Sequence, residues 1–146
     1  MLFGDVIHGR MHLNELGRVV HGCWLDVGLH FPHVARDAWI VMPNDFHALL
    51  RLMSCDFRME RRMDRVQRFA KPVKGSVATV VTSFKSAATR AIRERVGRPL
   101  LVWQPGYWDE RVFGELELCR VRKYIANNPA KWEESPLRRA VTNPST

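Results

Sequence analysis

Hydrophobic and polar positions repeat along this chain with periods that change several times, and each change marks an element. In residues 5–13, DVIHGRMHL, alternation on either side of His8-Gly9 predicts two short strands around a turn. Gly9 there supplies the positive φ. Asn14 is placed as an N-cap, with Glu15 in the first helical turn. Leu16, Val20, Trp24 and Val27 follow at spacings of four, four and three, the signature of an amphipathic helix whose apolar stripe takes Trp24 and Cys23 into the core. The pattern breaks at Phe31-Pro32. AWIVM (38–42) and residues 45–52 then predict a β-hairpin across Pro43-Asn44. In its second strand the period of two puts Phe46, Ala48, Leu50 and Leu52 on one face. Asp45, His47, Leu49 and Arg51 fall on the other.

Residues 54–75 form a basic connector, helical in part at most. Val77, Val80, Val81, Phe84, Ala88, Ala91 and Ile92 then mark a helix over 76–96, ended by Gly97 and Pro99. LLVWQ (100–104) and RVF (111–113) are short strand candidates flanking Gly106. A last helix is expected over 115–127, burying Leu118, Val121 and Ile125 and stopping before Pro129. Residues 1–132 are read as one domain and 133–146 as a loosely ordered tail. Two connections are too short for parallel crossovers, so the order of elements predicts an α+β fold, an antiparallel sheet with helices on one face.

Composition narrows the class. A chain of 146 residues, 46% hydrophobic, buries one modest core. Its apolar runs are far too short for a membrane span, and its start lacks the pattern of a signal peptide. Cys23, Cys55 and Cys119 are widely spaced, against a disulfide framework or a zinc cage and in keeping with a reducing cytoplasm. The net charge of +8 and pI near 10.1 point to a polyanionic partner, a nucleic acid first and an anionic membrane surface second.

Two constellations carry candidate chemistry. Asp45 and His47, at i and i+2 on a strand, are either a solvent-facing acid beside a satisfied histidine or two ligands converging on one cation. Two ligands hold a metal poorly, so a third must come from elsewhere. In CRVRKYIANNP, Arg120, Tyr124 and Asn128 share one helical face. A tyrosine there is either a core-edge residue with a wet hydroxyl or, flanked by Arg120, Arg122 and Lys123, a group positioned to meet a phosphodiester.

The stretches VMPNDFHALL, FKSAATRAI, VWQPGYWDERVF and VRKYIANNPAKW resemble, in order and spacing, the REP-associated tyrosine transposases. These belong to the single-tyrosine HUH transposases of bacterial insertion sequences. The resemblance spans Phe3 to Trp132. It implies a ferredoxin-like antiparallel sheet with helices on one face. It also implies binding of single-stranded or hairpin DNA, by a monomer or homodimer in the bacterial cytoplasm, at the nucleoid when on DNA. By position, Tyr124 is the expected nucleophile, forming a 5′-phosphotyrosine link and freeing a 3′-hydroxyl. His47 is the expected second histidine of the metal site and Asn128 its helix-borne ligand. Mg²⁺ or Mn²⁺ is the expected cofactor, a Lewis acid for phosphate oxygen. Phosphate contacts are expected from Arg58, Arg61, Arg62, Arg65, Lys85, Arg90, Arg120 and Lys123.

The chain departs from the family pattern in two places. Asp45 stands where the first histidine is expected; a carboxylate suits a hard cation but is shorter and adds negative charge. The family's leading apolar strand is not seen before Met1-Leu2-Phe3, which would deprive the sheet of a ladder partner. The activity expected is metal-dependent cleavage and rejoining of single-stranded DNA. A DNA hairpin-binding protein without chemistry is the alternative.

Overall fold

The structure, a computed structural model, describes residues 1–53 and 76–134. Strands β1 (Gly4–Ile7) and β2 (Arg10–Leu13) form an antiparallel hairpin. His8 and Gly9 turn it, with φ of 51° and 69°, the double positive-φ turn that matches strand twist. Helix α1 (Glu15–His30) follows. Asn14 caps it: its Oδ1 accepts from the Gly17 N–H at 2.9 Å. Its Nδ2 donates to the Leu2 carbonyl at 2.9 Å, so one side chain starts the helix and ties down the N-terminus.

Strands β3 (Val34–Val41) and β4 (Phe46–Leu52) form a second antiparallel hairpin. β3 begins four residues before the strand expected from AWIVM, since the less apolar VARD segment also finds ladder partners on β4. The register slips between Arg36 and Ala38, leaving Asp37 as the extra residue of a β-bulge. A bulge breaks the period of two and re-aims one side chain. The two hairpins meet where the Phe3 N–H donates to the Pro43 carbonyl at 2.9 Å.

Helix α2 (Val77–Val96) starts at Ser76, whose side chain accepts from the Thr79 N–H, and ends at Gly97 in the left-handed region. Its stripe Val80, Phe84, Ala88 and Ile92 is buried with Trp24, Val27, Val34 and Val41 in one core. Phe84 and Phe46 stack against Trp24 at ring separations of 5.1 and 4.8 Å. Arg95 of α2 pairs with Glu15 of α1.

Helix α3 (Gly114–Glu134) crosses the face of β3–β4 that carries His47 and Leu49, opposite the core face. Arg122 of α3 reaches Asp37, and its Tyr124 meets His47. The class is thus α+β with antiparallel pairing and helices packed against the strands, as the patterning predicts. The strands form two two-stranded sheets. The helices, expected on one face, lie on both faces of β3–β4 because α3 covers the side that carries His47. Among the described residues no helix is long and apolar enough to cross a membrane.

Three expectations about the C-terminal half are corrected. Residues 100–104 and 111–113 are not strands. Their segment is held by side chains: Lys85 Nζ donates to the carbonyls of Gln104 and Gly106 at 3.0 and 2.7 Å. Arg93 Nε donates to the Leu100 carbonyl at 3.1 Å. The last helix does not stop before Pro129 but runs through it to Glu134. Pro129 lies one turn beyond Ile125 on the same face, and both are buried. That burial offsets the lost hydrogen bond, which costs about 3 kcal/mol in an exposed helix. Leu118 and Val121, also expected in the interior, are only partly buried.

Candidate active site

The candidate residues come from a turn, a strand and a helix. The turn is closed by the Met42 N–H donating to the Asp45 carbonyl at 2.8 Å, with Pro43 and Asn44 at its corners. Asn44 Oδ1 accepts from the Leu2 N–H at 2.9 Å, which fixes the corner from outside. Asp45 is therefore held just before β4, and its Oδ1 accepts from the Phe46 N–H at 2.7 Å. Its free oxygen, Oδ2, lies 3.4 Å from His47 Nε2.

Across from this pair stands Tyr124. The imidazole of His47 and the phenol ring are perpendicular, at 88°, with centroids 5.9 Å apart. Strand and helix thus bring together the acid, the imidazole and the tyrosine named from the sequence. Tyr124 is 48% exposed, so a bulky polymer can reach it. Lys131 Nζ sits 5.2 Å from the centre of its ring, a cation–π contact two turns along α3. Sequence reasoning missed Lys131, because a helix ending before Pro129 never carries it back to the Tyr124 face. The i, i+7 spacing was the available signal.

One turn beyond Tyr124, the Asn128 Nδ2 is buried and has no hydrogen-bond partner. An amide turned over about its last bond keeps its shape and exchanges donor for acceptor. Asn128 can therefore offer a buried oxygen on the same helical face as the nucleophile candidate.

A divalent cation fits this donor set. Two neighbouring ligands of an octahedral ion, each about 2.1 Å away, lie roughly 3 Å apart. The 3.4 Å between Asp45 Oδ2 and His47 Nε2 is close to that spacing. Among the described residues no three His, Cys, Asp or Glu side chains gather at one point. A cation held by Asp45 and His47 would complete its shell with water or with an amide oxygen such as that of Asn128, a mixed oxygen and nitrogen set that suits Mg²⁺ or Mn²⁺.

A second unpredicted feature holds α3 in place. Arg122 donates from Nε and Nη2 to the two oxygens of Asp37, both at 2.6 Å, a bidentate charge-assisted pair. Asp37 is 14% exposed, and Arg51 Nη2 stands 3.6 Å from it. The Arg122 hydrogen bonds hold the Asp37 carboxyl below its usual range; desolvation opposes them, and the nearby charges of Arg122 and Arg51 add to the lowering. The same bonds push the Arg122 guanidinium up. Only the bulge turns Asp37 toward α3, and nothing in a period-two pattern announces it.

The residues expected to contact phosphate are divided. Arg120 and Lys123 are exposed on α3 beside Tyr124. Lys85 and Arg90 lie on α2, which covers the other face of β3–β4, and Lys85 uses two of its donors on the loop carbonyls. Arg90 lies near Cys23, whose thiol is raised by burial first and by Asp26 second, with Arg90 pulling it down. Arg58, Arg61, Arg62 and Arg65, with the rest of the basic connector, lie outside the described residues.

The chain is similar to an uncharacterized protein of Haemophilus influenzae, 29% identical over 141 residues. The match covers 93% of this chain and 77% of that protein. No protein-family profile matches the chain, and no solved structure matches it.

Proposed function

We propose that this protein cleaves and rejoins single-stranded DNA through Tyr124, with a divalent cation held by Asp45, His47 and Asn128. The observation that carries the reading is the contact of His47 with Tyr124, 5.9 Å between rings, beside a carboxylate 3.4 Å from the imidazole. A nucleophile, a nitrogen ligand and an oxygen ligand from separate elements thus share one open surface.

The Tyr124 oxygen forms a bond to phosphorus as the bond from phosphorus to the 3′ oxygen breaks. The leaving 3′ oxygen takes up a proton from solvent, and the phenol gives one up to solvent. The DNA is left joined to the protein through a 5′-phosphotyrosine, and attack by a 3′-hydroxyl reverses the step. His47 restrains the phenol by packing against it at right angles. Lys131, over the ring, and the exposed Arg120 and Lys123 draw a phosphodiester toward the hydroxyl. A bound Mg²⁺ or Mn²⁺ supplies Lewis-acid polarisation of the phosphate oxygen.

The test is a denaturing gel after incubation with hairpin-bearing single-stranded DNA in Mn²⁺. The expected result is a covalent protein–DNA adduct that is lost in Tyr124→Phe and on chelation. An adduct that survives Tyr124→Phe overturns the assignment of the nucleophile. Tight hairpin binding without any adduct favours the second reading, a DNA-binding protein without chemistry. One feature supports that alternative: Asp45 already spends one carboxylate oxygen on the Phe46 N–H, leaving a single oxygen for a cation.

A further inference from the structure

The segment between α2 and α3 gathers several large exposed apolar side chains. Trp108 is 89% exposed and Phe113 73%, with Leu101, Tyr107 and Leu116 also exposed nearby in sequence. Large aromatic side chains left in water forgo the burial that normally justifies them. These are not at the tip of an unsupported loop. Lys85 grips the carbonyls of Gln104 and Gly106. The Trp103 Nε1 donates to the Lys85 carbonyl at 3.2 Å, and the Trp103 ring packs on Phe3 and Phe84 at 5.2 and 5.7 Å.

That anchoring places the segment in the molecule. Phe3 is hydrogen-bonded to Pro43, two residues from Asp45, so Trp103 lies at the end of the sheet that carries Asp45 and His47. On its other side, Trp103 and Gln104 border a groove of about 580 Å³ lined by Lys85, Arg90 and Arg93 of α2. A cationic groove therefore borders Trp103 and Gln104, the anchored end of the segment that carries the exposed rings.

We infer that the 101–113 segment is a stacking platform for unpaired bases of single-stranded nucleic acid, with Trp108 and Phe113 as the stacking rings. The occupant is argued from charge as well as from aromaticity. The chain carries a net +8, and the groove at the Trp103 end of the segment offers three cations against Glu94, which suits a phosphate backbone. In the sequence between the two rings, Arg111 is offset by Asp109 and Glu110. The platform's own contribution is thus base stacking, and phosphate attraction belongs to the groove. This inference deepens the reading of the protein as acting on single-stranded DNA and rests on it for the choice of polymer.

The experiment measures fluorescence-anisotropy binding of a mixed-sequence single-stranded DNA of about 20 nucleotides, several site sizes of one domain, and of the corresponding duplex, across a salt series. Parent, Trp108→Ala, Phe113→Ala and Arg90→Gln proteins are compared, Arg90 being the groove cation that does not hold the segment. Both aromatic side chains are exposed, so their removal leaves folding intact. Each aromatic substitution is expected to weaken single-strand binding roughly five- to 150-fold, the range of one lost base stack. The salt slope and duplex binding are expected to stay unchanged, and Trp108→Phe to restore most of the affinity. The groove variant Arg90→Gln should flatten the salt slope instead.

Unchanged single-strand affinity in Trp108→Ala and Phe113→Ala overturns the platform, as does a parent that binds no oligonucleotide. If instead the parent sediments as a dimer and Trp108→Ala as a monomer with unaltered DNA affinity, the surface joins two copies of this chain and the inference fails. The two readings fail separately. A covalent adduct with no effect of Trp108 removes the platform and leaves the nucleophile. Trp108-dependent binding without an adduct does the reverse.

Discussion

Replacing Asp37 with Asn removes one negative charge and almost no volume from the underside of α3. In the parent, two hydrogen bonds of 2.6 Å run from Arg122 to that carboxylate. The variant keeps one acceptor and turns an NH₂ toward a guanidinium that has only donors. Hydrogen bonds to charged groups contribute about 1.5–3 kcal/mol. Arg122 is 41% exposed, so water solvates much of what the lost carboxylate leaves behind. The expected loss for Asp37→Asn is therefore about 1–2 kcal/mol, a fall in Tm of roughly 2–6 °C for a chain of this size.

The pH dependence carries a sign. The folded-state pKa of Asp37 is lowered, chiefly by the Arg122 hydrogen bonds. Its contribution is then fully present above the unfolded value of about 3.9 and is lost as pH falls through the lower folded value. Urea denaturation followed by tryptophan fluorescence should show parent and variant separated by a constant gap at neutral pH and down to about pH 5. The gap should close below about pH 4. Equal midpoints at neutral pH, or a gap as wide in acid as at neutrality, would refute the argument that this carboxylate fastens α3 to the sheet.

Two further outcomes test other links. Gly17→Ala should destabilise the protein despite alanine's better helix propensity, because a Cβ there runs into the Phe3 carbonyl. Gly22→Ala, in the same helix with nothing within 4 Å of its Cβ position, should stabilise by about 0.5–1 kcal/mol; urea midpoints that move in the same direction would contradict the close approach of α1 to Phe3. At the candidate metal site, Asp45→His should raise Mn²⁺-dependent adduct formation tenfold or more if one free carboxylate oxygen is a weak ligand. Equal adduct yields in the two proteins would show the carboxylate to be adequate.

Much of this architecture was legible before any coordinates, because its signals are local. Asn14 and Ser76 begin helices and Gly97 ends one, since the orphan backbone groups of a helix end are satisfied by the nearest suitable residue. His8-Gly9 turns a hairpin for a reason contained in those two residues. The facing of His47 followed from the period of two within one strand, and the share of one face by Arg120, Tyr124 and Asn128 from the period of 3.6. Tertiary structure decided the rest. Residues 100–104 and 111–113 have strand-like composition, but a strand needs a partner for its ladder, and Lys85, Arg93 and Trp103 tie this segment by other bonds. Pro129 reads as a stop because its local cost is plain, while the burial that offsets it is visible only once α3 lies on the sheet. The bulge at Asp37 exists because two strands pair out of step, and the Arg122 clamp depends on that bulge. Such contacts join residues 85 positions apart in the chain, where no periodicity along the sequence can report them.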